Sequence, residues 1–156
     1  MATIKKFEEL EIWQLARDLA RDVETLIQEN NFRHNFTLID QMRRSSGSIM
    51  DNIAEGFEGE GNKEFIHFLT IAKGSNGELR SQLYRGLDAH YFSDKEFQIL
   101  YTKSETLGVK LKNLVTYLNS SEHRGQKFRR QAQKLSAINR FKPIKPFQTP
   151  FKLFQP

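Results

Sequence analysis

The chain has 156 residues, no cysteine and a formal net charge of +5. This length suits one domain with a real core, and the lack of cysteine excludes a disulfide framework and a thiolate metal site. No apolar run approaches the roughly 18 residues of a membrane span. Met1–Leu10, with Lys5, Lys6, Glu8 and Glu9, lacks a signal peptide's apolar centre, so the expectation is a soluble cytoplasmic protein.

The first predicted helix runs from about Phe7 to Glu29. Ile12, Leu15, Leu19, Val23, Leu26 and Ile27 follow three-and-four spacing, and Trp13, Ala16 and Ala20 widen the stripe. Asn30–Asn35 is polar and suits a connection. A second helix starts near Thr37, where Thr37 and Asp40 resemble a capping box, and stops at Glu55–Gly56, where glycine suits a C-terminus. It carries an apolar stripe (Ile39, Met42, Ile49, Ile53), small residues (Ser45, Ser46, Gly47, Ser48, Ala54) and a polar line of Arg44, Ser48, Asn52 and Glu55. Most helices keep one apolar face and one charged face. A helix packed on several sides, with a polar seam, suggests a bundle that also assembles with copies of itself.

After the glycine-rich loop Gly56–Gly61, a third helix is expected from an N-cap at Asn62 to about His90. Phe65, Phe68, Leu69, Ala72, Leu79, Leu83 and Leu87 form its stripe. Gly74 and Gly77 lie inside it, each at a cost of about 1 kcal/mol relative to alanine. Close approach to the small face of helix two is the expected compensation. Ser93 and Glu96 form a capping box for the fourth helix, whose register Phe97, Leu100, Leu107, Leu111, Leu114 and Leu118 carry to Asn119–Ser120. Four amphipathic helices with short connections predict an all-α, antiparallel up-down-up-down bundle over residues 1–120.

Residues 121–156 form a separate tail. They hold nine Lys/Arg (Arg124, Lys127, Arg129, Arg130, Lys134, Arg140, Lys142, Lys145, Lys152) against the single acid Glu122, a net of +8, leaving −3 for the rest. All four prolines lie in the last fourteen residues, which predicts an extended arm there. Gln126–Asn139 could form a short basic helix. Cations can neutralise phosphates, and the interleaved Phe128, Phe141, Phe147, Phe151 and Phe154 can stack on bases or dock on a protein. Composition leaves three fates open: nucleic acid, which ranks first, a protein partner, or no partner.

Four further constellations have competing readings. Arg44 shares a stripe with Ser48 and Asn52, so pairing with Glu78 or Glu55, inside the bundle or its interface, is favoured over phosphate contact. Arg43 lies about 100° around the helix and is open to nucleic acid or a neighbouring subunit. Ser48, Asn52, Glu55, Ser75 and Glu78, with Arg44, are expected to form a structural polar network, because no nearby His completes a nucleophile–base pair. Glu64 and His67 give one Glu-x-x-His pair, but a di-iron site needs a second. The Gly56–Gly61 loop lacks the Lys-Ser/Thr ending of a phosphate-binding loop. No catalytic residue, metal or cofactor is therefore expected.

Several ordered blocks carry a resemblance. These are Phe7–Gln14 (FEELEIWQ), Gln41–Arg44 (QMRR), Ser48-Ile49, Asn52–Phe57 (NIAEGF), Glu64-Phe65, Phe68-Leu69, Ile71–Ser75 (IAKGS) and Glu78-Leu79. Together they resemble the four-helix-bundle proteins encoded in intervening sequences of bacterial large-subunit (23S) ribosomal RNA genes. The resemblance covers Phe7 to Leu118 and does not reach the tail. It implies an antiparallel bundle, a ring-like homo-oligomer (a pentamer) and no catalytic activity. The fold is also similar to accessory proteins of diversity-generating retroelements, which bind a reverse transcriptase and nucleic acid. The leading expectation is a non-enzymatic protein that binds nucleic acid, RNA before DNA, through an oligomeric platform and a basic tail. The second is a scaffold whose Phe141, Phe147, Phe151 and Phe154 grip a reverse transcriptase or another protein.

Overall fold

A computed structural model describes residues 4–120. The predicted tail lies outside the described residues. Four helices follow one another: α1 (Glu11–Glu29), α2 (Phe36–Glu58), α3 (Asn62–Asp88) and α4 (Asp94–Ser120). No strand occurs among the described residues.

Three of the predicted helix starts move, each for a local reason. The chain does not run as one helix from Phe7. A 3₁₀ turn, Phe7–Glu9, ends at Leu10, whose backbone is extended. This break lets Leu10 enter the core while Phe7 sets its ring edge-on to Trp13 at 5.0 Å. The side chain of Gln14 donates to the carbonyl of Glu8 across the break, at 2.8 Å. Helix α2 begins at Phe36 because Asn35 is the N-cap; its Oδ1 accepts from the amide of Leu38 at 3.1 Å. The predicted Thr37–Asp40 box does not form, and Asp40 pairs instead with Arg44. Gly61, at φ +130°, precedes α3, so Asn62 is its first residue rather than its cap.

Helix α2 also runs past Gly56 to Glu58. Gly56 is buried inside the helix because α3 crosses it there: a Cβ at Gly56 would stand 2.8 Å from both Phe65 Cδ2 and Phe68 Cβ. The predicted close approach at Gly74 and Gly77 is absent, since no atom lies within 4 Å of a Cβ at either position. Gly86 is tight as well, pressed by the ring of Phe92, and a Cβ at Gly59 would meet the Glu64 carboxyl at 2.7 Å. Helix α3 ends in a Schellman arrangement. His90, at φ 55°, donates to Leu87 O at 2.9 Å, and Tyr91 donates to Gly86 O at 3.0 Å. The predicted capping box of α4 is formed: Ser93 N donates to Glu96 Oε2 at 2.7 Å, and Glu96 N donates to Ser93 Oγ at 3.3 Å.

Contacts between neighbouring helices run in opposite sequence order. Along α1 and α4 the polar pairs are Glu11–Lys110, Asp22–Lys103 and Asn30–Glu96, where Asn30 lies just beyond α1. Along α2 and α3 they are Gln41–Arg85, Ser45–Gln82 and Ser48–Ser75. The core between the helices includes Leu19, Leu26, Leu38, Met42, Ile49, Ile53, Phe65, Leu69, Leu79, Leu83, Leu100 and Leu107. The connection before α2 contributes too: Phe32, in a segment read as polar, is buried beside Tyr91 and Phe92. Burial of so many large side chains is the main favourable term in folding.

Candidate functional site

The α2–α3 seam is where the sequence placed its polar line. Helical spacing aligns Ser45, Ser48 and Asn52 on the side of α2 facing α3. Ser48 Oγ lies 2.9 Å from Ser75 Oγ. Asn52 Nδ2 donates to Ser48 O at 2.7 Å and to Ser48 Oγ at 3.0 Å. Ser45 Oγ donates to Gln82 Oε1 at 2.7 Å, and Arg85 Nη1 donates to Gln41 Oε1 at 2.6 Å. Paired hydroxyls and amides of this kind fix the register of two helices, because sliding would leave buried polar atoms without partners.

The structure brings together Ser48, Asn52 and Ser75 from the expected network. It does not bring in Arg44, Glu55 or Glu78, which point outward. Arg44 is the clearest correction: its Nε meets Asp40 Oδ2 at 2.8 Å, one turn back on its own helix, and its side chain is 80% exposed. Sequence reading missed Gln41, Ser45, Gln82 and Arg85. Ser45 and Gln82 carried a faint signal as polar residues whose spacing put them on the inner faces of their helices.

Arg43 is also engaged. Its Nε and Nη2 donate to Glu24 Oε2 and Oε1, each at 2.8 Å, a two-pronged clasp between α2 and α1. The Arg43 guanidinium holds the Glu24 carboxyl below its usual range, and Gln28 assists. Glu24 in turn raises the arginine's pKa. Arg43 thus ties two helices together, with its side chain still 50% exposed. Two further buried polar pairs lie elsewhere. Asn76 Nδ2 donates to Ser104 O at 2.9 Å, and Ser104 Oγ donates to Asn76 Oδ1 at 2.7 Å, joining α3 to α4. Asp22 and Lys103 form an ion pair between α1 and α4, with Asp22 6% exposed.

Of the Glu-x-x-His pair, Glu64 accepts from the amide of Glu60 at 2.7 Å, and His67 packs edge-on against Phe68. Among the described residues no group of three or more His, Cys, Asp or Glu gathers to hold a metal. No described helix is long and apolar enough to cross a membrane.

The family model described as 23S rRNA-intervening sequence protein matches residues 8–113. The chain belongs to this family. The 23S rRNA-intervening sequence match spans α1, α2, α3 and most of α4, including the whole α2–α3 seam. Among solved structures, the chain is similar to a protein of unknown function from the S23 ribosomal protein family of Bacteroides thetaiotaomicron. The two share 22% identity over 67% of this chain and 97% of that one, with a TM-score of 0.62. At that identity the likeness shows the fold. No curated protein matches the chain.

Proposed function

We propose that this chain is a non-enzymatic nucleic-acid-associated protein that binds structured RNA. In this reading the four helices form an antiparallel up-down-up-down bundle, assembled as a ring-like homo-oligomer, a pentamer. The ring gathers several copies of the basic tail on one platform. Linked copies raise avidity without any single strong contact. The opposed order of contacts along α1–α4 and α2–α3 supports the antiparallel arrangement. The family's description, which ties it to 23S rRNA genes, supports RNA as the partner.

The observation that carries the reading is the separation of charge. The tail holds +8 while the rest of the chain sums to −3. Arg43 and Arg44, the cations first considered on the bundle, are paired with Glu24 and Asp40. In this reading residues 121–156 supply the phosphate contacts, with Arg124, Lys127, Arg129, Arg130, Lys134, Arg140, Lys142 and Lys145 as the contacts.

The test separates cations from aromatics. Replacing Lys142 and Lys145 with Gln weakens RNA binding and flattens its salt dependence, because each lost phosphate contact removes about one unit or less of log–log slope. Replacing Phe147, Phe151 and Phe154 with Ala has the smaller effect. The reverse order would favour a scaffold whose tail grips protein, a reverse transcriptase among the candidates.

A further inference from the structure

The outer groove between α3 and α4 repeats one spacing on its two rims. Lys73, Gly77, Arg80 and Tyr84 follow at intervals of four, three and four residues on α3, and Tyr101, Glu105, Gly108 and Lys112 do the same on α4. That spacing keeps each set on one face of its helix. Asn76 bonds to Ser104, while Tyr84 meets Phe97 and Tyr101 with ring centroids 4.8 and 5.7 Å away. Contacts thus run in opposite sequence order along this pair too. Both tyrosines therefore stand at one end of the groove and both lysines at the other, with Arg80, Glu105 and the two glycines between. About 16 Å of helical rise separates Lys73 from Tyr84.

The rims carry cations that the chain itself leaves unanswered. Lys73 and Lys112 are exposed, and neither they nor Arg80 forms an ion pair among the described residues. Arg80 Nε is buried with no hydrogen-bond partner there. The Tyr101 hydroxyl senses the cluster: Tyr84 and then Glu105 raise its pKa, and Arg80 lowers it. Three cations face the single acid Glu105 across these rims, in a body that sums to −3. Asp88 and Asp94 lie past the tyrosines and bound the cationic stretch. The floor is open: no atom lies within 4 Å of a Cβ at Gly77, and only Asn76 Nδ2 is near one at Gly108, at 3.1 Å. Tyr84, supported by Phe97 and Tyr101, is 47% exposed.

We infer that this groove binds an unpaired RNA strand, with a base stacked on Tyr84 and phosphates along Arg80, Lys73 and Lys112. Cations answer phosphates, and an exposed ring takes a base whose face is free, as in a loop or at an end, and not one stacked inside a duplex. The inference deepens the proposed function and rests on it. Three cations against one acid are too few to hold RNA alone, so the tail captures the RNA and the groove adds contacts to its unpaired part.

The test titrates the full chain against oligouridylate and against a blunt RNA duplex. Tyr84→Ala weakens binding of the strand about tenfold and leaves the duplex unchanged, whereas Tyr84→Phe keeps both. Arg80→Gln flattens the salt dependence for the strand by about one unit or less of log–log slope, and Glu105→Gln strengthens strand binding. Gly77→Leu fills the floor and blocks the strand, while melting stays at or above that of the wild type because the bundle has room there. A full chain that binds neither RNA overturns the proposed function and the groove with it. Strand binding unmoved by Tyr84→Ala, Arg80→Gln and Gly77→Leu overturns the groove alone and leaves its rims to a protein partner. Equal losses for strand and duplex also overturn the groove, since stacking on Tyr84 needs a free base.

Discussion

Gly56 and Gly77 are both glycines inside helices, and alanine should have opposite effects at the two. Helix propensity alone favours alanine by about 1 kcal/mol at each. At Gly77 nothing lies within 4 Å of the added Cβ, so Gly77→Ala keeps the whole gain. At Gly56 the Cβ meets Phe65 Cδ2 and Phe68 Cβ at 2.8 Å. Phe68 Cβ is fixed to the α3 backbone, so relief requires the helices to part. Overpacking of this kind costs about 1–3 kcal/mol, and the anchored neighbour argues for the upper end. Subtracting the propensity gain leaves Gly56→Ala about 2 kcal/mol less stable than wild type and about 3 kcal/mol below Gly77→Ala. At ~4 °C per kcal/mol for a body of this size, Gly56→Ala melts about 8 °C lower. Urea unfolding at one fixed protomer concentration measures this as a shift in midpoint with unchanged slope. If Gly56→Ala is stabilised as much as Gly77→Ala, the close crossing of α2 and α3 is wrong.

Lys103→Met leaves Asp22 buried without its cation and costs about 3 kcal/mol, whereas Asp22→Leu/Lys103→Met recovers most of that loss, as unfolding curves of the three proteins will show. Ser93→Ala removes the cap of α4 and lowers stability by about 1 kcal/mol in the same assay. Two carboxyls set the acid response. Burial opposes the charged form of Glu96, but donation from Ser93 and Asn30 outweighs it and holds the pKa low; Arg43 does the same for Glu24. The folded state then binds fewer protons than the unfolded one. This stability is fully present above the ordinary value of 4.5 and is lost as pH falls through the lowered folded values. Arg43→Gln removes the Glu24 share, so its stability falls less than the wild type's between pH 5 and pH 3 on the scale of ordinary carboxyl titration.

Local chemistry made the fold legible where one residue pattern had one meaning. Ser93-x-x-Glu96 could hardly be anything but a helix start, and its bonds are those of a capping box. The periodic leucines of α4 likewise named its buried face. Other features were ambiguous because two structures share one pattern. Leu10 fits helical spacing with Phe7 whether or not the backbone breaks between them. Thr37 and Asn35 are both good caps, and the choice falls to Asn35, which bonds to both Leu38 and Tyr91. Gly56 has the composition of a stop signal, yet its missing Cβ serves the crossing with α3.

The seam was partly legible for the same reason. Ser48, Asn52 and Ser75 share inward angles, and periodicity located them. Arg44 has nearly the angle of Ser48, but its long side chain carries the charge out to water and to Asp40. Spacing fixes the direction of a Cβ and leaves the end of a long side chain undetermined. Gly74 and Gly77 were read through the single chain, although nothing in that chain touches the space where their side chains would lie.

The central claim, that the tail is the nucleic-acid element and the bundle its platform, is tested by comparing the full chain with a Met1–Ser120 version. Each is titrated against structured RNA and duplex DNA at several salt concentrations. The account predicts tight, steeply salt-dependent RNA binding by the full chain and its loss on truncation. Equal binding by the two versions, or no binding at low salt by either, would contradict it.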